Sequence, residues 1–213
     1  MTITQKEATK YYDRFSKVYD LISSKAYYHK ARNYAVLELE LISGQTILNL
    51  PVGTGQNFEY FQKHLNNSGL ILGVDLSEGM LREAKKKVIK NNWENIELHI
   101  GNANQIDQNW LNQLQIKDLK VDAVLCDLGL SGFPNWENVI DNMLSILKPN
   151  GRIVIMDWYI EQSSLRGSFI KWIGKGEVDR PIWQYLKERV DNFKLEHSFN
   201  RGGVFVASGN KRK

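Results

Sequence analysis

The chain has 213 residues, of which 42% are hydrophobic and 24% charged, with a net charge of +4; this is ordinary composition for one globular domain and excludes long disorder. No apolar run approaches the roughly 20 residues that cross a bilayer, and the opening MTITQKEATKYYDRF lacks the apolar stretch of a secretory signal. A single cysteine, Cys126, excludes an internal disulfide and a cysteine-based zinc cluster, and no metal is expected.

Residues 1–41 read as helical and precede the first strand, as a cap rather than a separate domain. Short β-rich runs then occur at 46–50, 70–74, 96–100, 121–126 and 152–156, separated by helical patterns at about 57–66, 77–91, 106–115 and 135–147. Strands with continuous apolar runs, alternating with helices, predict a parallel sheet covered on both faces. Ser77 is placed to cap the second of these helices, and Lys148-Pro149-Asn150-Gly151 reads as the turn that closes the fourth. A helix at about 179–192 follows, then runs at 193–199 and 204–208 on either side of the hairpin signal Asn200-Arg201-Gly202-Gly203. The expected architecture is α/β: a Rossmann-like, seven-stranded, mostly parallel sheet with a C-terminal antiparallel hairpin and an N-terminal helical cap. The organisation is one domain over 1–213, with the cap at 1–41, a cofactor core at 46–157 and acceptor-side helices with the hairpin at 158–213.

The stretch ILNLPVGTGQN, residues 47–57, runs from a buried strand into a glycine turn. Gly53 and Gly55 permit conformations and close approaches that a Cβ would block. The next strand ends at Asp75, about 20 residues on, where an acid can accept hydrogen bonds from both hydroxyls of a ribose. Together these features predict an adenosine-containing cofactor. A dinucleotide fingerprint requires a third glycine where this chain has Phe58. The polar edge Gly101-Asn102-Ala103-Asn104 suits an adenine amino group, and a terminal antiparallel pair is unusual for dinucleotide folds. These details favour S-adenosylmethionine.

On these residues the chain resembles the class I S-adenosylmethionine-dependent methyltransferases over nearly its whole length. ILNLPVGTGQN is similar to the family's first motif, and GVDLSEGMLREAKKK to the second. GNANQID corresponds to the third, and 121–158 to the fourth strand, its helix and the fifth strand. The resemblance implies S-adenosylmethionine as cofactor, S-adenosylhomocysteine as product, and contacts from Asn49, Pro51, Gly53, Gly55, Asp75, Leu76, Met80, Asn102, Ala103 and Asp127. It also implies that a tyrosine of the N-terminal segment, Tyr12 or Tyr19, covers the methionine end. Asn49 replaces the usual acid of the first motif, Pro51 its first glycine, and Asn102 the usual aspartate of the third. Weaker cofactor binding is expected from the lost charge at Asn49, and a non-catalytic binding module with the same fold is the alternative of another class.

Within the superfamily, residues 11–39 resemble the N-terminal helices of small-molecule and lipid methyltransferases, among them ubiquinone/menaquinone C-methyltransferases and phospholipid N-methyltransferases, and residues 129–159 and 179–190 resemble the latter. The resemblance implies a small-molecule or lipid acceptor, preferably an amine such as a phospholipid headgroup; the alternative is carbon or oxygen methylation of a quinone-like ring. Tyr11, Tyr12, Tyr27 and Tyr28, with basic residues at 6, 10, 14, 17, 25, 30 and 32, suggest peripheral contact with an anionic membrane from a cytoplasmic location. Trp158, Trp172 and Trp183 are candidates for an apolar pocket or for cation–π contacts with a methylated ammonium. The run Lys85-Lys86-Lys87 with Lys90 reads as a solvated helix face, and no nucleic-acid partner is expected. His29 is the one histidine placed to face the site; His64, His99 and His197 read as surface or packing residues, and no general base is named.

Overall fold

The structure is a computed structural model that describes residues 25–114, 119–160 and 177–213. Its elements in chain order are α1 (Lys25–Glu38), β1 (Thr46–Asn49), α2 (Phe58–Leu65), β2 (Leu70–Asp75), α3 (Glu78–Lys90), β3 (Ile96–Ile100), a 3₁₀ turn (Ala103–Gln105), α4 (Gln108–Gln113), β4 (Val121–Asp127), α5 (Trp136–Ile146), β5 (Leu147–Trp158), α6 (Ile182–Lys187), β6 (Val190–Ser198) and β7 (Val204–Lys211). The strands form one seven-stranded sheet in the order β3-β2-β1-β4-β5-β7-β6. The pairs β2–β3, β1–β2, β1–β4 and β4–β5 are parallel, while β7 runs antiparallel to both β5 and β6. This is the Rossmann-like sheet with a terminal hairpin that the sequence predicts.

Alternation along the strands divides the core between the two faces. Ile47, Ile71, Leu125, Val154, Met156 and Val206 pack against α1, α2 and α3. Leu48, Leu72, Val124, Cys126, Ile155 and Phe205 pack against α4, α5 and α6. Helix α1 buries Tyr28, Ala31, Arg32, Ala35 and Val36, the spacing of one helical face, and so lies across the first of these faces. Ser77 caps α3 as expected, its Oγ accepting the Met80 N–H at 3.1 Å. The hairpin also matches: Asn200, Arg201 and Gly202 all have positive φ, the conformation that tight hairpins demand.

Two segments differ from the sequence reading. Residues 148–151 are not a free turn: β5 begins at Leu147, which pairs with Val121, before a register irregularity brings Arg152 opposite Ala123. The proline and asparagine are absorbed into a distorted strand start, with Asn150 at φ 62°. The helix expected over 179–192 is cut to Ile182–Lys187, because Val190 and Asp191 pair with Lys211 and Asn210 in β6 and β7. Sheet pairing here overrides a local pattern that suits a helix.

Candidate functional site

β1 lies between β2 and β4, so the chain reverses its direction of growth across the sheet at the carboxyl end of β1. Such a crevice is where open α/β sheets bind ligands. Four segments converge there: the turn 50–57, the end of β2, the end of β4 and the inner face of α1.

The turn after β1 is fixed by its neighbours on both sides. Leu50 N–H donates to Leu125 O at 3.0 Å, and Val52 N–H to Val74 O at 2.8 Å; the Leu50–Pro51 peptide is cis. Gly53 has φ 54°, and a Cβ placed on it would meet nothing within 4 Å. It is therefore required by backbone conformation and leaves open space beside the turn. Gly55, at φ 76°, is required for a different reason: its Cβ would lie 2.3 Å from the ring of Phe58. Phe58, fully buried and edge-on to Trp93, occupies the place a third glycine takes in a dinucleotide fold. Asp75 ties this turn to α3. Its Oδ2 accepts the Gly53 N–H at 2.8 Å and its Oδ1 the Ser77 N–H at 2.9 Å.

Asn49 is fully buried, with Nδ2 3.4 Å from Pro51 O and 3.3 Å from Leu125 O. A carboxylate at this position would face two carbonyl oxygens and repel both, so the amide suits the local chemistry. The negative charge stands instead at Asp127, the last residue of β4. Asn57 links the two positions, its Nδ2 donating to Asn49 Oδ1 at 3.2 Å and to Asp127 Oδ2 at 3.0 Å. Arg32 from α1 donates through Nε to the same Asp127 oxygen at 2.9 Å and through Nη1 to Gln56 Oε1. Both charged side chains of this pair are about 95% buried. Two acceptor atoms in the cluster, Asp127 Oδ1 and Asn57 Oδ1, are buried with no hydrogen-bond partner among the described residues. Buried acceptors are rarely left so, and a ligand with N–H donors would satisfy them.

The residues therefore fit an adenosine-containing cofactor with an amino-acid tail. Asp75 would take the ribose hydroxyls, the space beside Gly53 would admit a close approach, and the buried Asn57 Oδ1 would accept from the ammonium of the tail. Met80 and Ala103 are buried and Leu76 is half-buried at the same end of the sheet. Asn102 Oδ1 accepts the Asn104 N–H at 3.1 Å and holds the 3₁₀ turn that carries Ala103.

Other candidates fall elsewhere. Tyr12, Tyr19 and Trp172 lie outside the described residues. Arg32 is not part of a surface-facing basic cluster but buried in the site. His29 sits within 2.8 Å of the Tyr60 hydroxyl through Nδ1, on the face of α1 that meets α2. Trp158 packs edge-on to Tyr28 and stacks on Tyr27, while Trp183 packs against Tyr159 and Phe205, so both serve packing. Arg32, Gln56 and Asn57 are the site residues the sequence reading missed. The amides directly after Gly55 were a local signal; for Arg32 only its place on the apolar stripe of α1 was.

The model of a methyltransferase domain family matches residues 42–196, more than half of the chain. A demethylmenaquinone methyltransferase of Listeria monocytogenes is 27% identical over 161 residues, 74% of this chain and 65% of that protein. An arsenite methyltransferase of Halobacterium salinarum is 29% identical over 116 residues, 54% of this chain. The chain thus spans less than two thirds of the length of either curated relative, and only 27% of the second. Phosphoethanolamine N-methyltransferase 2 of Haemonchus contortus, in a complex with phosphomonomethylethanolamine and S-adenosylhomocysteine, superposes with a TM-score of 0.75 at 15% identity, over 97% of this chain and 59% of that one. At that identity the likeness establishes the fold. With the family model covering β1 through most of β6, and the glycine turn and Asp75 inside it, the chain belongs to the class I S-adenosylmethionine-dependent methyltransferases.

Proposed function

We propose that this chain transfers a methyl group to a small-molecule or lipid acceptor, and that the acceptor is an amine, with a phospholipid headgroup as the preferred class. The observation that carries this reading is the Asp127 carboxylate at the end of β4. Arg32 and Asn57 fix one of its oxygens, and the other is buried without a partner among the described residues. An amine N–H supplies the donor that this oxygen lacks. Bound S-adenosylmethionine supplies the electrophilic methyl and a neutral thioether leaving group. The chain's own residues bind and orient the two reactants, which accounts for much of the rate in a displacement of this kind. The amine arrives neutral, and the proton of the methylated product leaves to water.

A second reading, carbon or oxygen methylation of a quinone-like ring, is favoured by the match to demethylmenaquinone methyltransferases. Among the described residues no helix is long and apolar enough to cross a membrane. The exposed Tyr27 and Lys30 on α1 support a peripheral contact with an anionic membrane, which co-sedimentation with phosphatidylglycerol vesicles checks.

The test is transfer of labelled methyl from S-adenosylmethionine into a whole-cell extract, followed by solvent partition. Label in the organic phase, on headgroup nitrogen, is the expected result. Label on ring carbon or oxygen replaces it with the second reading, and label nowhere, from folded protein, rejects both.

A further inference from the structure

The loop 128–135 joins β4 to α5 immediately after Asp127, and the backbone of residues 128–133 is held by groups distant in the chain. Leu128 has φ 55°, a conformation a branched side chain disfavours, and its N–H donates to Met156 O at 2.7 Å. Gly129 lies against Pro51 of the cofactor turn, so closely that a Cβ would come within 2.5 Å of the proline ring. Beyond it the loop is gripped from two sides. From β5, the fully buried Asp157 accepts the Ser131 N–H at 3.0 Å. From residues 177–180, just before α6, Arg180 Nη1 donates to Leu130 O at 2.9 Å and to Phe133 O at 2.6 Å. The Glu177 N–H donates to Ser131 O at 2.8 Å, and the Glu177 carboxylate holds the Arg180 Nε at 2.9 Å. An arginine that is nearly buried, spending its donors on two carbonyls of one loop, fixes that loop's shape; elsewhere such donors more often meet carboxylates or solvent.

We infer that Arg180 and Asp157 are positioning residues for the acceptor: they set the loop 128–133 against Pro51 and beside the free oxygen of Asp127, and so form one wall of the acceptor's place without touching the cofactor. This rests on the reading of Asp127 given above. Neither residue is singled out by the sequence. Asp157 lies within the run 129–159 and Arg180 at the start of the helix expected over 179–192, and only the fold brings them to opposite sides of one loop.

The test compares wild type with Arg180→Gln, Arg180→Lys and Asp157→Asn, using Arg189→Gln as control, since Arg189 pairs with Asp141 at a half-exposed position away from the loop. Three quantities are read: S-adenosylhomocysteine affinity by calorimetry, backbone amide exchange over 129–133, and labelled-methyl transfer as a function of whole-cell extract concentration. In Arg180→Gln the affinity for S-adenosylhomocysteine stays within about twofold, while loop exchange quickens and the apparent KM for extract rises, each by about tenfold or more, the equivalent of one charge-assisted hydrogen bond. Arg180→Lys recovers part of both effects, and Asp157→Asn shifts them in the same direction. Unchanged exchange and KM overturn the inference, as does a parallel loss of S-adenosylhomocysteine affinity, which would make the two residues supports of the whole site. Should wild type transfer no label, the acceptor reading falls by itself and exchange decides the clamp: faster exchange confined to 129–133 upholds it, and unchanged exchange ends it.

Discussion

Arg32 and Asp127 stand 95 residues apart in the chain, yet their side chains meet at 2.9 Å with about 95% of each buried. The pair joins the N-terminal helix to the central strand of the sheet at the place where the cofactor turn begins. Removing one partner leaves a buried charge uncompensated, at a cost of about 3–5 kcal/mol, whereas replacing both with apolar side chains costs far less. Urea unfolding is expected to show Arg32→Met losing roughly 3 kcal/mol or more, and Arg32→Met/Asp127→Leu losing much less than the sum of the single variants. Additive losses would mean that the two side chains are not coupled.

The two glycines of the turn are expected to fail in different ways. Gly55→Ala adds a Cβ into the Phe58 ring at a positive φ, combining a conformational cost of about 1 kcal/mol with overpacking of about 1–3 kcal/mol. Its effect appears as lost stability. Gly53→Ala meets no atom and carries only the conformational cost, but its Cβ would enter the space proposed for the cofactor. Its effect appears mainly as weaker S-adenosylhomocysteine binding at nearly normal stability. Unchanged S-adenosylhomocysteine affinity in Gly53→Ala would show that the space beside Gly53 is not a ligand's.

The carboxyl group of Asp157 is pushed up from 3.8 to about 6, chiefly by complete burial; N–H bonds from Ser131 and Trp158 work against this, and the charge of Asp127 adds to it. Because the folded value is raised, the folded state keeps a proton that the unfolded chain has released between about pH 4 and 6. The stability this proton gives is complete below the unfolded value and is lost as pH rises through about 6. The loss amounts to roughly 3 kcal/mol. Wild type is therefore expected to lose stability between pH 4.5 and 7 by a component that Asp157→Asn lacks. Identical pH slopes in the two proteins would refute the assignment.

The parts of the molecule that sequence made legible are local ones. Five apolar strand runs between helical patterns are enough to announce a parallel sheet, and Gly53, Gly55 and Asp75 announce the cofactor because each does its work beside its own strand. Other parts depend on distant contacts. Lys148-Pro149-Asn150-Gly151 has every mark of a turn, but the ladder to β4 takes Leu147 into β5. Arg32 has the composition of a surface residue in a basic, aromatic segment, and nothing nearby in the chain points to Asp127. The replacement of the first motif's acid by Asn49 reads in sequence as a lost charge. In the fold, Asn57 couples Asn49 to Asp127, where a negative charge is present and Asn49 itself faces carbonyls that an acid would repel.

The most direct test of the account is calorimetric titration of S-adenosylhomocysteine into wild type and Asp75→Ala, with far-ultraviolet circular dichroism confirming that both are folded. In the proposed site Asp75 would accept from the ribose hydroxyls, and loss of hydrogen bonds to a charged acceptor costs about 1.5–3 kcal/mol each. The predicted result is saturable one-to-one binding by wild type and affinity at least about tenfold lower in the variant. Equal affinity in the two proteins, or no binding by folded wild type, would contradict the placement of the cofactor between β1, β2 and β4.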